Sequence, residues 1–375
     1  MRVVQVSFFR DPARRSAAEL VEAWPTLTAV AGAAADAGVE VAVVQAAWRD
    51  DVRQRAGVTL HFVAEPGARV LPRRLSSAFP ARLLARVRSL RPDVVHVQGL
   101  GFPVSTRLAS TLGAPVMVQD HSGRLPPPSR RALHRWGLAR VAGAAFTDRA
   151  QAEPFFAAGL LRPGLPVFEV LESSSTFTPG DVAAARAAAG IHGDPCVLFV
   201  GRLNEGKDPL TVLDAFARAA PRLPDARLWM VYGDAPMLDA VQARIAGDEA
   251  LRDRVRLLGR VPHARIETLA RAADLFVSAS RRESAGYAVL EAIACGAVPL
   301  LADIPAHRRI TRGGAIGGLF PLGNADALAA RLVEHADRDR AEARRRAREH
   351  FDRHLSFAAL GRELRDAYEQ TARGA

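Results

Sequence analysis

The chain has 375 residues, of which 49% are hydrophobic and 24% are charged. This composition is typical of a globular protein and excludes an intrinsically disordered chain, and no apolar run is long enough to span a bilayer. The formal net charge is +11, but the arginines are scattered along the chain, so the excess does not predict a nucleic-acid partner.

The length predicts two domains, each large enough to enclose its own core. The N-terminus enters a strand directly, which is not the pattern of a signal peptide. Two cysteines, Cys196 and Cys295, lie far apart in apolar segments. This excludes a disulfide framework and indicates a reducing, cytoplasmic compartment.

The first half of the chain alternates apolar, strand-length runs with helical patterns. Such alternation predicts a parallel, doubly wound α/β sheet with its ligand loops at the carboxyl ends of the strands. The predicted strands are Val3–Phe8, Val39–Val44, Val58–Val63, Val94–Val97, Val116–Gln119, Ala144–Thr147 and Val167–Leu171. The predicted helices lie near Leu27–Ala35, Ala81–Ser89, Val104–Leu112 and Arg130–Ala139.

Two histidines mark strands of this half. His121 follows Val116–Gln119, and it is either a ligand-binding residue at the sheet edge or an ordinary polar loop residue. His96 lies inside an apolar strand, where a hydrogen-bonded core histidine is the better interpretation. The loop after the first strand contains no glycine and is predicted to run to about Trp24.

An arginine-rich segment surrounds the apolar pair Leu83–Leu84. Arg73, Arg74, Arg82 and Arg86 lie near this pair. The pattern allows peripheral contact with anionic lipid, as at the inner face of a membrane. Core packing beneath solvated arginines explains it equally well.

Turn-forming residues interrupt the alternation between residues 173 and 194 and surround one short, Ala-rich helix. We therefore predict an N-terminal domain over 1–175, a linker over 176–195 and a C-terminal domain over 196–355. The terminal helix, 356–375, can pack back on the first domain. Two such domains predict a cleft between them, which is a favoured place for a ligand.

The second half restarts the alternation of strands and helices. The predicted strands are Val197–Val200, Leu228–Val231, Val255–Leu258, Leu275–Ser278 and Val298–Ala302. The predicted helices lie near Pro209–Ala219, Met237–Ile245, Arg265–Ala272, Ala288–Ala294, Ala325–Glu334, Arg338–His350 and Phe357–Thr371.

The first strand of this half leads into a loop with two glycines and two cations. Arg202 and Lys207 follow Gly201, and a planar fork beside a compact ammonium group can hold both phosphates of a diphosphate. A solvated loop with two cations is the alternative. The site is favoured because Lys207 is the only lysine among 51 basic residues.

A strand, a short loop and a helix carry two further carboxylates. Glu283 follows Leu275–Ser278, and Glu291 lies two turns into the next helix. Carboxylates placed in this way can accept hydrogen bonds from sugar hydroxyls, and the amides at the helix start favour a phosphate. Any α/β domain contains such units, so this segment alone leaves a structural role open.

Three segments of the second half together resemble the family 4 glycosyltransferases, which are retaining enzymes of the GT-B fold. They are Gly201–Lys207, Leu257–Val261 and Glu283–Gly296, and they match in order and spacing. The resemblance covers the second domain closely and the first domain loosely. It implies two Rossmann-like domains that face each other across a cleft.

The resemblance also implies roles for individual residues. Arg202 and Lys207 would bind the donor diphosphate and help it to leave. Glu283 would hold hydroxyls of the transferred sugar, Glu291 would hold the ribose, and His121 would lie near the donor sugar. The other implied donor-binding residues are Gly201, Arg260, Val261, Ser284, Gly286, Tyr287 and Ala288.

Such an enzyme takes a hexose-type sugar from a UDP- or GDP-sugar, without a bound metal or other cofactor. Its acceptor is a sugar, a lipid-linked molecule or a small molecule, as in glycan, glycolipid or natural-product biosynthesis. This chain departs from the common family pattern in three places, one of which is Ser284–Tyr287, where Gly-Phe-Gly is commoner. The loop after the first strand lacks a glycine pair, and Glu172–Ser175 replaces the usual Pro-Asn-Gly turn.

Other functions were weighed against this one. A non-catalytic nucleotide-sugar-binding protein of the same fold stays open, because donor-binding residues alone do not establish turnover. A dinucleotide dehydrogenase is excluded because no G-x-G-x-x-G motif follows the first strand.

Overall fold

A computed structural model describes residues 1–65 and 79–374. The chain divides into two compact units. The first contains residues 1–173 together with the C-terminal helix, and the second runs from Ser174 to Ser356. None of the helices in the described ranges combines the length and the apolar character needed to cross a membrane.

The first unit is built on one eight-stranded sheet in the order β3-β4-β2-β1-β5-β6-β7-β8. All neighbouring strands are parallel except β3 and β4. Val3 in β1 pairs with Val41 on one side and with Val94 on the other. The strands are β1 (Arg2–Ser7), β2 (Glu40–Ala47), β3 (Asp51–Arg55), β4 (Val58–Ala64), β5 (Val94–Gln98), β6 (Val116–Gln119), β7 (Gly143–Phe146) and β8 (Val167–Glu169).

Helices pack on this sheet around a core of buried aliphatic and aromatic side chains, including Val4, Val95 and Phe146. The described helices of residues 1–173 are α1 (Ala17–Ala23), α2 (Thr26–Asp36), α3 (Ala81–Ser89), α4 (Pro103–Ala109), α5 (Arg131–Leu138) and α6 (Glu153–Ala157).

The prediction of a long loop after β1 was wrong. Helix α1 occupies seven residues near the C-terminal end of that segment and begins at a capping box, in which Ser16 and Glu19 satisfy each other's backbone N–H groups. The serine–glutamate spacing was the signal for this helix. Strand β3 was also missed, because four of its five residues are exposed and polar character hides an edge strand.

The sequence left two interpretations of the arginine-rich segment around Leu83–Leu84, and for Leu83 in α3 the structure supports core packing. Leu83 is fully buried in the core of the first unit. The Arg82 guanidinium donates to the Ala64 carbonyl at 2.6 Å and to the Asp50 carboxylate at 2.7 Å. Arg73 and Arg74 lie outside the described residues.

The second unit contains a six-stranded parallel sheet in the order β11-β10-β9-β12-β13-β14. Its strands are β9 (Cys196–Val200), β10 (Arg227–Val231), β11 (Val255–Gly259), β12 (Leu275–Ser278), β13 (Val298–Ala302) and β14 (Gly318–Phe320). The direction of strand succession reverses between β9 and β12. In doubly wound sheets a ligand binds beside such a reversal, at the carboxyl ends of the strands.

The helices of the second unit flank this sheet on a core that includes Phe199, Phe216 and Leu300. They are α7 (Val182–Ala189), α8 (Pro209–Ala219), α9 (Leu238–Ala246), α10 (Glu249–Arg252), α11 (His263–Ala272), α12 (Tyr287–Ala294), α13 (Pro305–Thr311), α14 (Ala325–Ala336) and α15 (Arg340–His354).

The predicted linker and the C-terminal helix both belong to compact units, and the helix lies in the unit on which the sequence analysis allowed it to pack. The predicted linker contains α7, which lies in the second unit, where Arg186 donates to Ala272 O at 3.1 Å and to Asp274 at 2.6 Å. The C-terminal helix α16 (Phe357–Arg373) lies in the first unit. Its Tyr368 is fully buried and accepts a hydrogen bond from Gln5 at 3.0 Å.

Candidate active site

The loops after β9 and β12 are tied together at the reversal point of the second sheet. The Arg281 backbone N–H donates to the Gly206 carbonyl at 2.9 Å, and the Arg281 guanidinium donates to the Asp208 carboxylate at 2.9 Å. Between these contacts, the Lys207 ammonium group forms an ion pair with the Glu283 carboxylate. Two residues that the sequence singled out separately therefore meet at one point.

The loop before α8 directs the lysine toward this pair. The Lys207 N–H donates to the carbonyl and to the side-chain oxygen of Asn204, each at 3.0 Å. A β-carbon at Gly201 would lie 3.6 Å from the Lys207 Cδ, which is an ordinary contact, so Gly201 lies beside the stem of the lysine side chain. Only 21% of the Lys207 side chain and 13% of the Glu283 side chain are exposed. Because the site is largely shielded from water, these two charges attract each other more strongly than the charges of an exposed ion pair do.

The loop from Glu283 to α12 turns sharply at Gly286. This residue is the N-cap of α12 and has a φ of +70°. Glycine adopts such a φ without the steric strain that a residue with a β-carbon would suffer. Ser284 is half-buried and Tyr287 is exposed at the first helical position. The first N–H groups of a helix, here at Tyr287 and Ala288, have no acceptor within the helix. They can therefore bind an anion, with support from the helix dipole.

Glu291 points from the second turn of α12 to a partner that the sequence analysis missed. Its carboxylate oxygen lies 2.6 Å from His263 Nε2. Burial raises the pKa of Glu291, and the hydrogen bond from His263 opposes that shift. His263 begins α11 just after β11, and its ring stacks on Phe177 with centroids 4.9 Å apart. His263 follows a strand, as His121 does, and this position could have identified His263 from the sequence.

The remaining predicted residues of the second unit follow β9 and β11, which are separated in the sheet by β10. Arg202 is exposed and forms no ion pair with any residue in the described part of the chain. Arg260 follows β11, and a β-carbon at Gly233 would meet its guanidinium at 3.4 Å. Val261 is half-buried beside it. The structure does not join Arg202 or Arg260 to the Lys207–Glu283 pair by a hydrogen bond.

A second histidine missed by the sequence analysis lies near the ion pair. His307 in α13 is fully buried, and its Nδ1 lies 2.7 Å from the Ala302 carbonyl oxygen. Burial lowers its pKa to about 4, with weaker and opposed effects of Glu283 and Lys207. The ring is therefore neutral and supplies no charge to the site at neutral pH.

In the first unit, His121 lies between residues from two other strand ends. Its Nε2 is 2.6 Å from Gln98 Oε1, and its Nδ1 is 3.2 Å from Glu172 Oε2. His96 is a buried core histidine, as expected, with Nδ1 2.9 Å from the Tyr368 hydroxyl. Burial lowers the pKa of His96 to about 3.

No cluster of three or more His, Cys, Asp or Glu residues suited to a metal ion occurs within the ranges 1–65 and 79–374. The charged groups described around the reversal point are the cations Arg202, Lys207 and Arg281 and the carboxylates Asp208, Glu283 and Glu291. Such a set can bind a diphosphate through its cations and hydroxyl groups through its carboxylates.

Comparison with known protein families assigns both units. The family model for glycosyl transferases group 1 matches residues 181–350, and that for glycosyltransferase family 4 matches residues 26–152. The chain belongs to the family 4 glycosyltransferases of the GT-B fold. This confirms the family predicted from Gly201–Lys207, Leu257–Val261 and Glu283–Gly296, and it confirms two Rossmann-like sheets.

Solved structures share the fold of this family 4 chain at low sequence identity. Sucrose-phosphate synthase from Thermosynechococcus elongatus superposes with a TM-score of 0.70 at 20% identity, and the match covers 100% of both chains. HepE of Anabaena, solved in complex with UDP, gives a TM-score of 0.72 at 19% identity, over 98% of this chain and 100% of HepE.

Curated relatives match over part of their length. A phosphatidyl-myo-inositol mannosyltransferase of Mycobacterium tuberculosis is 34% identical over 175 residues, which are 44% of this chain and 45% of the relative. A D-inositol 3-phosphate glycosyltransferase of Mycobacteroides abscessus is 39% identical over 172 residues, 44% of this chain and 35% of the relative. The chain thus matches less than half the length of these relatives.

Proposed function

We propose that this chain is a retaining glycosyltransferase that transfers a hexose-type sugar from a UDP- or GDP-sugar to an acceptor hydroxyl. The observation that carries the proposal is the Lys207–Glu283 pair at the reversal point of the second sheet. One member of this pair suits a phosphate and the other suits sugar hydroxyls. HepE of Anabaena, which has the same fold, binds UDP, and this supports a nucleotide ligand here.

When the donor binds, the two members of the Lys207–Glu283 pair contact different parts of it. The Lys207 ammonium group turns to the diphosphate, where Arg202 adds a second cation, and the Glu283 carboxylate accepts hydrogen bonds from the sugar. Glu291 accepts from the ribose hydroxyls, and the first amides of α12 bind the distal phosphate together with Gly286. The base lies beside Arg260 and Val261.

In the reaction, negative charge develops on the diphosphate as the bond to the anomeric carbon breaks. Lys207, Arg202 and the N-terminus of α12 stabilise that charge, which is the task of a metal in other transferases, so the reaction is metal-independent. The leaving phosphate takes the proton of the acceptor hydroxyl on the face that it leaves. The new bond then forms on the same face, and the anomeric configuration is retained.

The acceptor is a sugar, a lipid-linked molecule or a small molecule, and the enzyme acts in the cytoplasm. An enzyme with a lipid-linked acceptor must contact the membrane surface. Helix α5 is a better candidate for this contact than α3. Leu133 and Trp136 are 46% and 47% exposed, and no Asp or Glu occurs between Asp120 and Asp148. The arginines of that stretch are Arg124, Arg130, Arg131, Arg135 and Arg140.

Sedimentation with vesicles tests this contact. We expect binding to phosphatidylglycerol vesicles and not to phosphatidylcholine vesicles, because arginines attract anionic lipid. Trp136→Ser should weaken the binding, since an aromatic ring at the interface is lost. Equal binding to both vesicle types, or to neither, contradicts the proposal.

A thermal-shift panel of UDP, GDP and ADP and their sugar conjugates tests the donor site. A nucleotide that binds the folded chain stabilises it by about 2.7 kcal/mol at roughly 100 times its Kd. We expect a shift with a uridine or guanosine nucleotide and its loss in Lys207→Ala. Arg222→Ala is the control, because Arg222 is exposed between α8 and β10, at the opposite edge of the sheet.

The same panel separates the two functions that stay open. A transferase should also consume the sugar conjugate that binds and release the nucleoside diphosphate. Binding without any release, across a panel of sugar, polyprenyl-phosphate and inositol acceptors, favours a non-catalytic nucleotide-sugar-binding protein. No shift with any nucleotide contradicts both.

A further inference from the structure

Three strand ends of the first sheet bring a carboxylate, an imidazole and an amide together. Gln98 ends β5, His121 follows β6, and Glu172 follows β8. The histidine contacts both of the others, with Nε2 2.6 Å from Gln98 Oε1 and Nδ1 3.2 Å from Glu172 Oε2. Glu172 belongs to the segment that replaces the usual turn of the family.

The two partners of His121 differ in burial. Glu172 is 5% exposed, and its Oε1 is buried with no hydrogen-bond partner among the described residues. A buried carboxylate is costly unless it is paired, so its contact with the His121 ring is strongly favoured. Gln98 is only half-buried, and a ligand can replace it more easily.

The loop that carries His121 is held by a second buried carboxylate. Asp120 accepts hydrogen bonds from the backbone N–H groups of Ser122 at 3.3 Å and Gly123 at 2.7 Å. Burial raises the pKa of Asp120, and the Glu172 charge raises it further against these hydrogen bonds. The backbone of His121 is thus fixed by Asp120, while its ring is turned toward Glu172.

We propose that Glu172 is a positioning residue for His121. Its carboxylate accepts the Nδ1–H, which fixes the ring plane and leaves Nε2 as the nitrogen that meets the ligand. With Nδ1 protonated, a half-turn of the Gln98 amide places its NH2 rather than its oxygen at Nε2, so that the amide donates to that nitrogen. A hydroxyl of the acceptor takes the place of Gln98 at Nε2. This inference rests on the proposed glycosyl transfer, and it adds a residue of the first unit to that reaction.

The tautomer can be measured on the ligand-free chain. Long-range ¹H–¹⁵N spectra of ¹⁵N-histidine-labelled protein report which ring nitrogen is protonated, and His121→Gln identifies the signals. We expect a protonated Nδ1 at neutral pH. Glu172→Met, of similar length but without an acceptor, should abolish that preference, whereas Glu172→Gln should keep it through its amide oxygen.

The control is Glu169→Gln, which removes the charge of an exposed glutamate in the strand that precedes Glu172. An unchanged His121 pattern in folded Glu172→Met overturns the proposal. If the methionine variant does not fold, the His121 spectrum of Glu172→Gln tests the proposal instead. A His121 ring protonated at Nε2 rather than Nδ1 in that variant also overturns it.

A kinetic readout separates positioning from structural support. With the donor and acceptor found above, Glu172→Met should lower kcat by about tenfold to hundredfold, since a misplaced group loses alignment. The thermal shift produced by UDP or GDP should be unchanged, and Glu172→Gln should restore most of the rate. Loss of nucleotide binding in Glu172→Met contradicts the proposed role. The tautomer result does not depend on a substrate, so it stands or fails apart from the proposed function.

Discussion

Glu291 has a charge state that matters for the proposed binding of ribose. Its carboxylate lies 2.6 Å from His263 Nε2, and burial raises its pKa from the ordinary value of 4.5. A carboxyl group with a raised pKa takes up its proton at a higher pH than an exposed one. The protonated group keeps its acceptor capacity only in part, so it binds hydroxyl groups less well.

We therefore predict that nucleotide affinity falls as the pH is lowered, beginning above the range of an exposed glutamate. Calorimetric titration of the bound nucleotide between about pH 7 and about pH 5 measures this dependence. Glu291→Gln should weaken binding at the higher pH and flatten the profile. Glu205→Gln is the control, since Glu205 is exposed in the loop after β9. An unchanged slope in Glu291→Gln contradicts the prediction.

Residue types were predicted better than residue partners. The lone lysine and the two glutamates could be singled out because a charged residue after an apolar strand lies at the ligand edge of the sheet. Their contacts could not be predicted, because Lys207 and Glu283 are 76 positions apart. His263 was missed because nothing in its local sequence shows that β11 ends near α12.

The packing of α16 on α2 depends on a glycine. An added β-carbon at Gly361 would lie 2.1 Å from the Ala33 carbonyl oxygen, which is far inside van der Waals contact. Gly32, in α2 itself, has its nearest neighbour for an added β-carbon at 3.6 Å, which is an ordinary contact. The same substitution should therefore have opposite effects at these two helix positions.

We predict that Gly361→Ala destabilises the first unit by about 1–3 kcal/mol, because overpacking displaces one helix from the other. Gly32→Ala should stabilise it by up to about 1 kcal/mol, since alanine loses less conformational entropy in a helix. Urea midpoints of the two variants measure both changes. If Gly361→Ala stabilises the protein, the prediction is contradicted, because the two helices must then lie far enough apart to hold a β-carbon between Gly361 and Ala33.

Long apolar strands were predicted, and short or polar elements were missed. Parallel strands buried on both faces appear as continuous apolar runs, which is why β1, β5, β9 and β13 were found. Strand β3 is mostly exposed and β14 has only three residues, so neither forms such a run. Helix α1 has an apolar face of Ala17, Leu20 and Val21 at helical spacing, which was a signal that could have been used. The capping box before α1 was a second local signal.

At the scale of the molecule, both units contain buried neutral histidines. Burial lowers the pKa of His96 to about 3 and of His307 and His335 to about 4, from an ordinary value of 6.5. Below pH 6.5 the unfolded chain binds protons at these rings and the folded chain does not. Stability is therefore lost as the pH falls from about 6.5 to about 4, before most carboxylates are protonated.

We predict that each of these histidines contributes a slope of about 1.4 kcal/mol per pH unit in this window. Urea midpoints at several pH values measure the slope, and His307→Gln should reduce it even if the variant is less stable at neutral pH. His192→Gln is a control with an exposed ring. A slope that does not change in His307→Gln contradicts the assignment of a neutral buried ring.

The sequence by itself determined the α/β class, the presence of two doubly wound units, the family and the residue types of the candidate donor site. These follow from apolar runs, turn residues and motif spacings, which are local properties of the chain. The tertiary structure decided which of the residues meet: Lys207 with Glu283, Glu291 with His263, and His121 with Glu172. Each pair joins segments that follow different strands, and which segments become neighbours depends on the order of strands in the sheet. That order is set by the packing of the whole unit around its core, which no short segment of the chain contains.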